Sequence, residues 1–128
     1  MLEAVREHNL GRRASQSAIQ CYITGRYSMP ALDDYITDVL MRDLVGHDRR
    51  PVSFLVYLWM AAEQQRRKTV VQVSYQELAE SVGVSKSSVQ AAVSWLVRRK
   101  LLAASKENAT ATPRYTVLSP WRDAARRR

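Results

Sequence analysis

Apolar residues recur at helical spacing over several stretches of the chain, separated by short β-branched or turn-rich runs. Leu32, Tyr35, Ile36, Val39, Leu40 and Leu44 follow the i, i+3, i+4, i+7, i+8 rule of an amphipathic helix. Pro30 opens that helix, Asp33 and Asp34 place negative charge in its first turn, and Gly46 is a natural stop. Before it, residues 1–13 are polar and read as a flexible terminus. Ala18, Ile19, Tyr22 and Ile23 suit a short helix that ends near Gly25. After the polar connector His47–Arg50, Pro51 suits the first turn of a second strong helix. It runs from about Val52 to Arg67, with Phe54, Leu55, Leu58, Trp59 and Ala62 as its buried stripe.

The run TVVQVS, Thr69 to Ser74, is β-branched and starts abruptly, so it reads as a short strand. Ser74 then begins SYQE, a serine followed three residues later by Glu77, which is the capping box of a helix reaching about Ser81. Gly83 breaks that helix, and Ser85 caps another that runs to about Lys100. Val89, Ala92, Val93, Leu96 and Val97 form its buried stripe, with Trp95 beside it. Leu101–Ser105 and Arg114–Leu118 are strand-like and flank KENATATP, so they make a hairpin with a long polar tip. In the last residues, SPWRDAARRR, Trp121 could dock and Arg126–Arg128 should be solvated.

Length and composition bound the reading. The chain has 128 residues, one domain with an appendage, and 46% of them are hydrophobic, enough for a core. The longest mostly apolar run, Phe54 to Ala62, is half of what a bilayer span needs. MLEAVREHNLGRR lacks the apolar region of a signal peptide, so a cytoplasmic location is expected, with no membrane partner. Cys21 is the single cysteine, which rules out an internal disulfide or a cysteine-based zinc site. The net charge of +8 is uneven. Residues 1–50 carry seven Arg and seven Asp or Glu, whereas residues 51–128 carry thirteen Lys or Arg against five Asp or Glu. A basic half of this kind points first to nucleic acid and second to an anionic membrane.

The order helix, strand, helix, short turn, helix, strand, strand over residues 51–118 resembles the winged helix-turn-helix of bacterial DNA-binding regulators. The likeness rests on register. Ala79 is the small residue of the first helix and Gly83 stands four residues on, in the turn. Leu78, Val82, Val84, Val89 and Ala92 fill the apolar positions. YQELAESVGVSKSSVQAAVSWLVRRKLL is similar to the reader heads of GntR- and MarR-type regulators and of plasmid replication initiators. Lys100 departs from the pattern, since many such proteins have glycine before the wing strand. The resemblance implies a mainly α fold with a small β-hairpin wing. Residues 14–46 then form an N-terminal helical extension suited to pairing two copies, and residues 119–128 a basic tail.

A major groove just admits an α-helix. The side chains placed to read it are Lys86, Ser87, Ser88, Gln90, Ala91 and Ser94. Gln90 can bond adenine bidentately, Ala91 can touch a thymine methyl, and the serines and Lys86 can reach base edges or phosphate. Backbone contacts are expected from Ser74, Tyr75 and Gln76 at a helix N-terminus and from Arg98 and Arg99. In the wing, Lys106, Asn108, Thr110, Thr112 and Arg114 are placed to follow a strand or enter the minor groove. The expected activity is sequence-specific binding of double-stranded DNA by a homodimeric transcriptional regulator. A plasmid replication or maintenance role, or a winged helix that binds protein or RNA, are the alternatives. No catalytic constellation can be assembled, and no cofactor or metal is expected. His8 and His47 stand isolated, Asp33, Asp34, Asp38 and Asp43 read as a solvated face, and no phosphate-binding loop is present.

Overall fold

The computed structural model describes residues 31–127. The expected frayed terminus and the helix ending near Gly25, with His8 and Cys21, lie outside the described residues, as do Pro30 and Arg128. The described chain is mainly helical with one small antiparallel sheet. Two π-helical stretches, Ile36–Leu40 and Arg42–His47, precede α1 (Pro51–Arg67), β1 (Val71–Gln72), α2 (Tyr75–Val82), α3 (Lys86–Arg98), β2 (Leu102–Ser105), β3 (Arg114–Val117) and α4 (Pro120–Arg126). The sheet order is β1-β3-β2, so the last strand lies in the middle. Val71 pairs with Tyr115, and Leu102 with Val117.

The helix expected between Pro30 and Gly46 differs from its expected form within the described residues. It is wound as π-helix, with the Met41 N–H bonded to the Ile36 carbonyl and the Asp48 N–H to that of Asp43. In such wide turns a residue three positions on lies about a third of a turn away, rather than the sixth of an α-helix. The i+3 positions therefore leave the core. Ile36, Leu40 and Leu44 are buried, whereas Leu32, Tyr35 and Val39 are not. Gly46 lies inside the second stretch, and the reversal falls on Arg49, with φ of 56°.

α1 also turns differently from expectation. Its buried face is Ser53, Phe54, Val56, Tyr57 and Met60, while Leu55 is exposed and Leu58, Trp59 and Ala62 are half-buried. Nearly every position from Phe54 to Ala62 is apolar, so the sequence fits more than one rotation of the helix. The facing elements choose among them. The Tyr57 hydroxyl reaches the Leu118 carbonyl at 3.1 Å, and the Val117 N–H donates to Gln64 Oε1 at 2.7 Å, which lays the sheet along α1. The core joins Leu40 and Leu44, α1, Val71 and Val73, Leu78, the inner face of α3, and Leu102 and Tyr115. The part of the N-terminal extension within the described residues thus shares the core of the rest.

The strand expected over Thr69–Ser74 shrinks to Val71–Gln72, with one further bond from the Val73 N–H to the Pro113 carbonyl. The C-terminal residues form a helix rather than a tail. Trp121 stacks on Tyr35, with ring centroids 4.4 Å apart, and donates its indole N–H to Asp33 at 2.9 Å. Arg122 adds a second bond to the same oxygen at 2.8 Å. These donors hold the Asp33 carboxyl below its ordinary value, the indole bond contributing most. Asp33, read as part of a solvated face, is therefore a clasp between the two ends of the described chain.

Candidate nucleic-acid interface

Residues 74–98 build a two-helix unit from local signals. Ser74 is extended, and its hydroxyl accepts the Glu77 N–H at 3.1 Å, satisfying one of the open donors of α2. Gly83 closes α2 at φ 88°, a conformation that costs glycine nothing, and its N–H returns to the Ala79 carbonyl at 2.8 Å. Ser85 is extended again and caps α3 by accepting the Ser88 N–H at 3.2 Å. Two caps and one glycine therefore hold α3 at a fixed angle against α2, sealed by buried Leu78, Ala79, Val89 and Ala92.

The inner face of α3 is Val89, Ala92, Val93 and Leu96, all buried. Val97, expected in that stripe, is 41% exposed. Opposite the buried face runs an exposed row, Ser87, Ala91, Ser94 and Arg98, at steps of i, i+4, i+7 and i+11. Lys86 and Gln90, also exposed, lie on one shoulder beside Val97. Ser88 lies on the other, half-buried, with its hydroxyl 2.8 Å from that of Ser85. Ser87 lies 3.2 Å from the same cap oxygen. The face is short-chained and polar at its centre, so another surface can approach it closely.

The remaining expected contacts are distributed around this row. Ser74 and Tyr75 are half-buried at the start of α2, and Gln76 is exposed but bonded to Glu80 at 3.0 Å. In the hairpin, Lys106, Asn108, Thr110, Thr112 and Arg114 are all exposed. Asn108 ties the tip by accepting from the Thr110 N–H at 3.1 Å and from its hydroxyl at 3.0 Å. Arg114 pairs with Glu107 at 2.7 Å, an exposed pair that a competing anion can open at little cost. Lys100, just before the hairpin, has φ of 59°, in the left-handed region that favours glycine.

The α3 arginines behave differently from one another. Arg98 stays on the exposed row and leans over Trp95, 5.8 Å from the ring centroid. Arg99 is turned back: its guanidinium bonds Asp43 and lies 3.6 Å from Asp48. A residue that sequence reasoning did not single out joins this junction. Arg50 lies over Trp95 at 4.2 Å, and the indole N–H of Trp95 donates to Asp48 at 3.0 Å. Cation–π contact and carboxylate together pin the connector against α3. No local pattern marks Arg50, because its partner is far away in sequence.

His47 is not isolated. Its Nδ1 lies 3.1 Å from Asp48 and 3.9 Å from Asp43. Among the described residues these three form the one group whose donor atoms lie within 4.8 Å of one another. The two carboxylates already hold Arg99, so the group is organised as an ion-pair network. Burial acts to raise the Asp48 carboxyl, but the His47 and Trp95 hydrogen bonds and the Arg99 charge outweigh it and hold it low.

A carboxyl lowered by folding stabilises the protein in its ionised form. That contribution is complete above the ordinary value of 3.8 and is lost as pH falls through the lower folded value. Wild type should therefore lose more stability between about pH 6 and about pH 3 than Asp48→Asn, which keeps an acceptor for Trp95. Urea unfolding at both pH values measures this, and equal losses in the two proteins would remove the carboxylate from the account.

Comparison with protein families, with characterised proteins and with solved structures finds no match to the chain.

Proposed function

We propose that the chain is a winged helix-turn-helix protein that binds double-stranded DNA sequence-specifically and regulates transcription. One observation carries the reading: the capped, glycine-turned α2–α3 unit presents an exposed, short-chained polar row on α3, opposite its buried face. A helix held this way fits a major groove, and its side chains are of the types that bond base edges. The sheet order, with β2 and β3 as a hairpin after α3, supports the hairpin as a wing beside the same duplex. The excess of positive charge in residues 51–128 supplies the sequence-independent attraction.

In this reading Gln90 reads a base, with Ser87, Ala91, Ser94 and Lys86 around it. Arg98, Lys106 and Arg114 contact phosphates. Arg99 serves as a strut to Asp43 and Asp48 rather than as a DNA contact. Two copies pair through the segment that leaves Leu32, Val39, Met41 and Val45 exposed, and this places one α3 on each half of a two-fold site.

The test is selection of bound duplexes from a random library, followed by titration of the enriched and random pools at two salt concentrations. Enrichment of a two-fold repeat is expected, with affinity falling steeply as salt rises. Gln90→Ala should then cost about 1–3 kcal/mol on the enriched site and little on random duplex. An equal loss on both duplexes would refute the base-reading role. Absence of any salt-dependent duplex binding would refute the function.

A further inference from the structure

Arg49 is a cation of the connector that lies beside α3. It is exposed, and among the described residues no hydrogen bond or ion pair reaches its side chain. Its backbone is left-handed, with φ of 56°, a conformation that a residue carrying a Cβ adopts only at a cost. Its neighbours are anchored on both sides. Asp48 is held by Trp95 and lies beside Arg99, and the Arg50 N–H bonds the Leu44 carbonyl at 2.8 Å while its guanidinium lies on Trp95. The connector is therefore fixed against α3, and Arg49 is its one side chain left uncommitted.

The position of that side chain matters more than its charge. Arg49, Arg50, Pro51 and Ser53 form one wall of a shallow groove whose other wall is Ser88 and Ala91 of α3. Ala91 belongs to the exposed row, so the groove opens beside the surface assigned to the duplex. Lys68 and Lys100 are also left-handed and also follow helices, where positive charge suits the helix dipole. Dipole compensation thus accounts for a basic residue at all three sites. Only Arg49 lies across a groove from the exposed row of α3.

We propose that Arg49 is a DNA-backbone contact. Its guanidinium binds a phosphate of the strand that borders the major groove beside Ser88 and Ala91, and so fixes the register of α3 in the groove. This rests on the DNA-binding reading. It makes the connector between the N-terminal segment and α1 a third contacting element beside α3 and the hairpin.

Arg49→Gly separates contact from fold, because glycine takes the left-handed conformation without strain and removes only the side chain. The variant should melt at or above the wild-type temperature. It should bind the enriched and the random duplex more weakly by the same factor. The slope of log affinity against log salt should become shallower by about 0.9, the share of one phosphate. Arg49→Lys should restore the slope. Lys68→Gly makes the same backbone exchange at the far end of α1 and should leave the slope unchanged. An unchanged slope in Arg49→Gly, with wild-type binding intact, overturns this proposal alone. Equal slope changes in Arg49→Gly and Lys68→Gly also overturn it, since total charge then sets the slope. A wild-type protein that binds neither duplex overturns both this proposal and the DNA-binding reading.

Discussion

Tyr57→Ala should lower the stability of the domain by about 3–5 kcal/mol, the cost of removing a large buried aromatic from a core that cannot collapse around the gap. Tyr57 is fully buried in the middle of α1, and its ring tilts against Trp121 with centroids 6.4 Å apart. Its hydroxyl donates to the Leu118 carbonyl just beyond β3. One side chain therefore touches the long helix, the end of the sheet and the C-terminal helix. A domain of this size is stable by about 5–15 kcal/mol in all, so the loss decides whether it folds at ordinary temperature. Tyr57→Phe should cost only about 0.5–1.5 kcal/mol, the net worth of one hydrogen bond. Denaturant melts of the three proteins measure both differences, and a Tyr57→Ala loss below that of Tyr57→Phe would contradict the burial. The phenol also sets an alkaline limit. Burial pushes Tyr57 up to about 12 from 10.0, so its contribution is complete below pH 10 and fades as pH rises toward 12.

Leu44→Ala is expected to cost about 2–5 kcal/mol, in one cooperative transition with the rest of the chain. Leu44 has no exposed surface, and it packs in the same core as α1 and α3. A segment that merely hung from the domain would lose its own order on this change and leave the main transition in place. A small shift of the midpoint, or a second transition, would show that residues 36–47 are an appendage. A single, large shift makes them part of the scaffold that holds the two-helix unit. Circular dichroism and tryptophan fluorescence followed in parallel distinguish the two, since Trp59, Trp95 and Trp121 all pack against the shared core.

The two-helix unit was the most legible part of the sequence, because its boundaries are set by neighbours in the chain. Ser74, Gly83 and Ser85 act within four residues of themselves, and the buried positions of α3 follow from an amphipathic pattern with a clear polar face. α1 was legible as a helix but not in its rotation. A run as apolar as Phe54 to Ala62 carries little angular information, and Tyr57 rather than Trp59 turned inward to meet Leu118. The π winding of the N-terminal segment was illegible for a related reason. Its apolar positions satisfy the α rule, and the wider turn shows only in which of them are buried. Trp121 with Asp33, Arg99 with Asp43 and Arg50 with Trp95 are partnerships between distant residues, so no local pattern could announce them. The candidate site divides in the same way. The α3 row was readable from spacing, whereas the commitment of Arg99 to a strut and the freedom of Arg49 were not.

The sheet has a consequence for how the protein is made. Its central strand is the last to leave the ribosome, and both β1 and β2 depend on it for their hydrogen bonds. During synthesis at roughly 5–20 residues per second, Val71 and Gln72 wait several seconds for Arg114 and Tyr115. By the end of that interval α1–α3 have been made, while the side of α1 that receives the sheet is still uncovered. A nascent chain stalled within the hairpin would present the two-helix unit without the sheet. The sheet therefore forms in a single late step, when β3 emerges and gives both flanking segments their only strand partner.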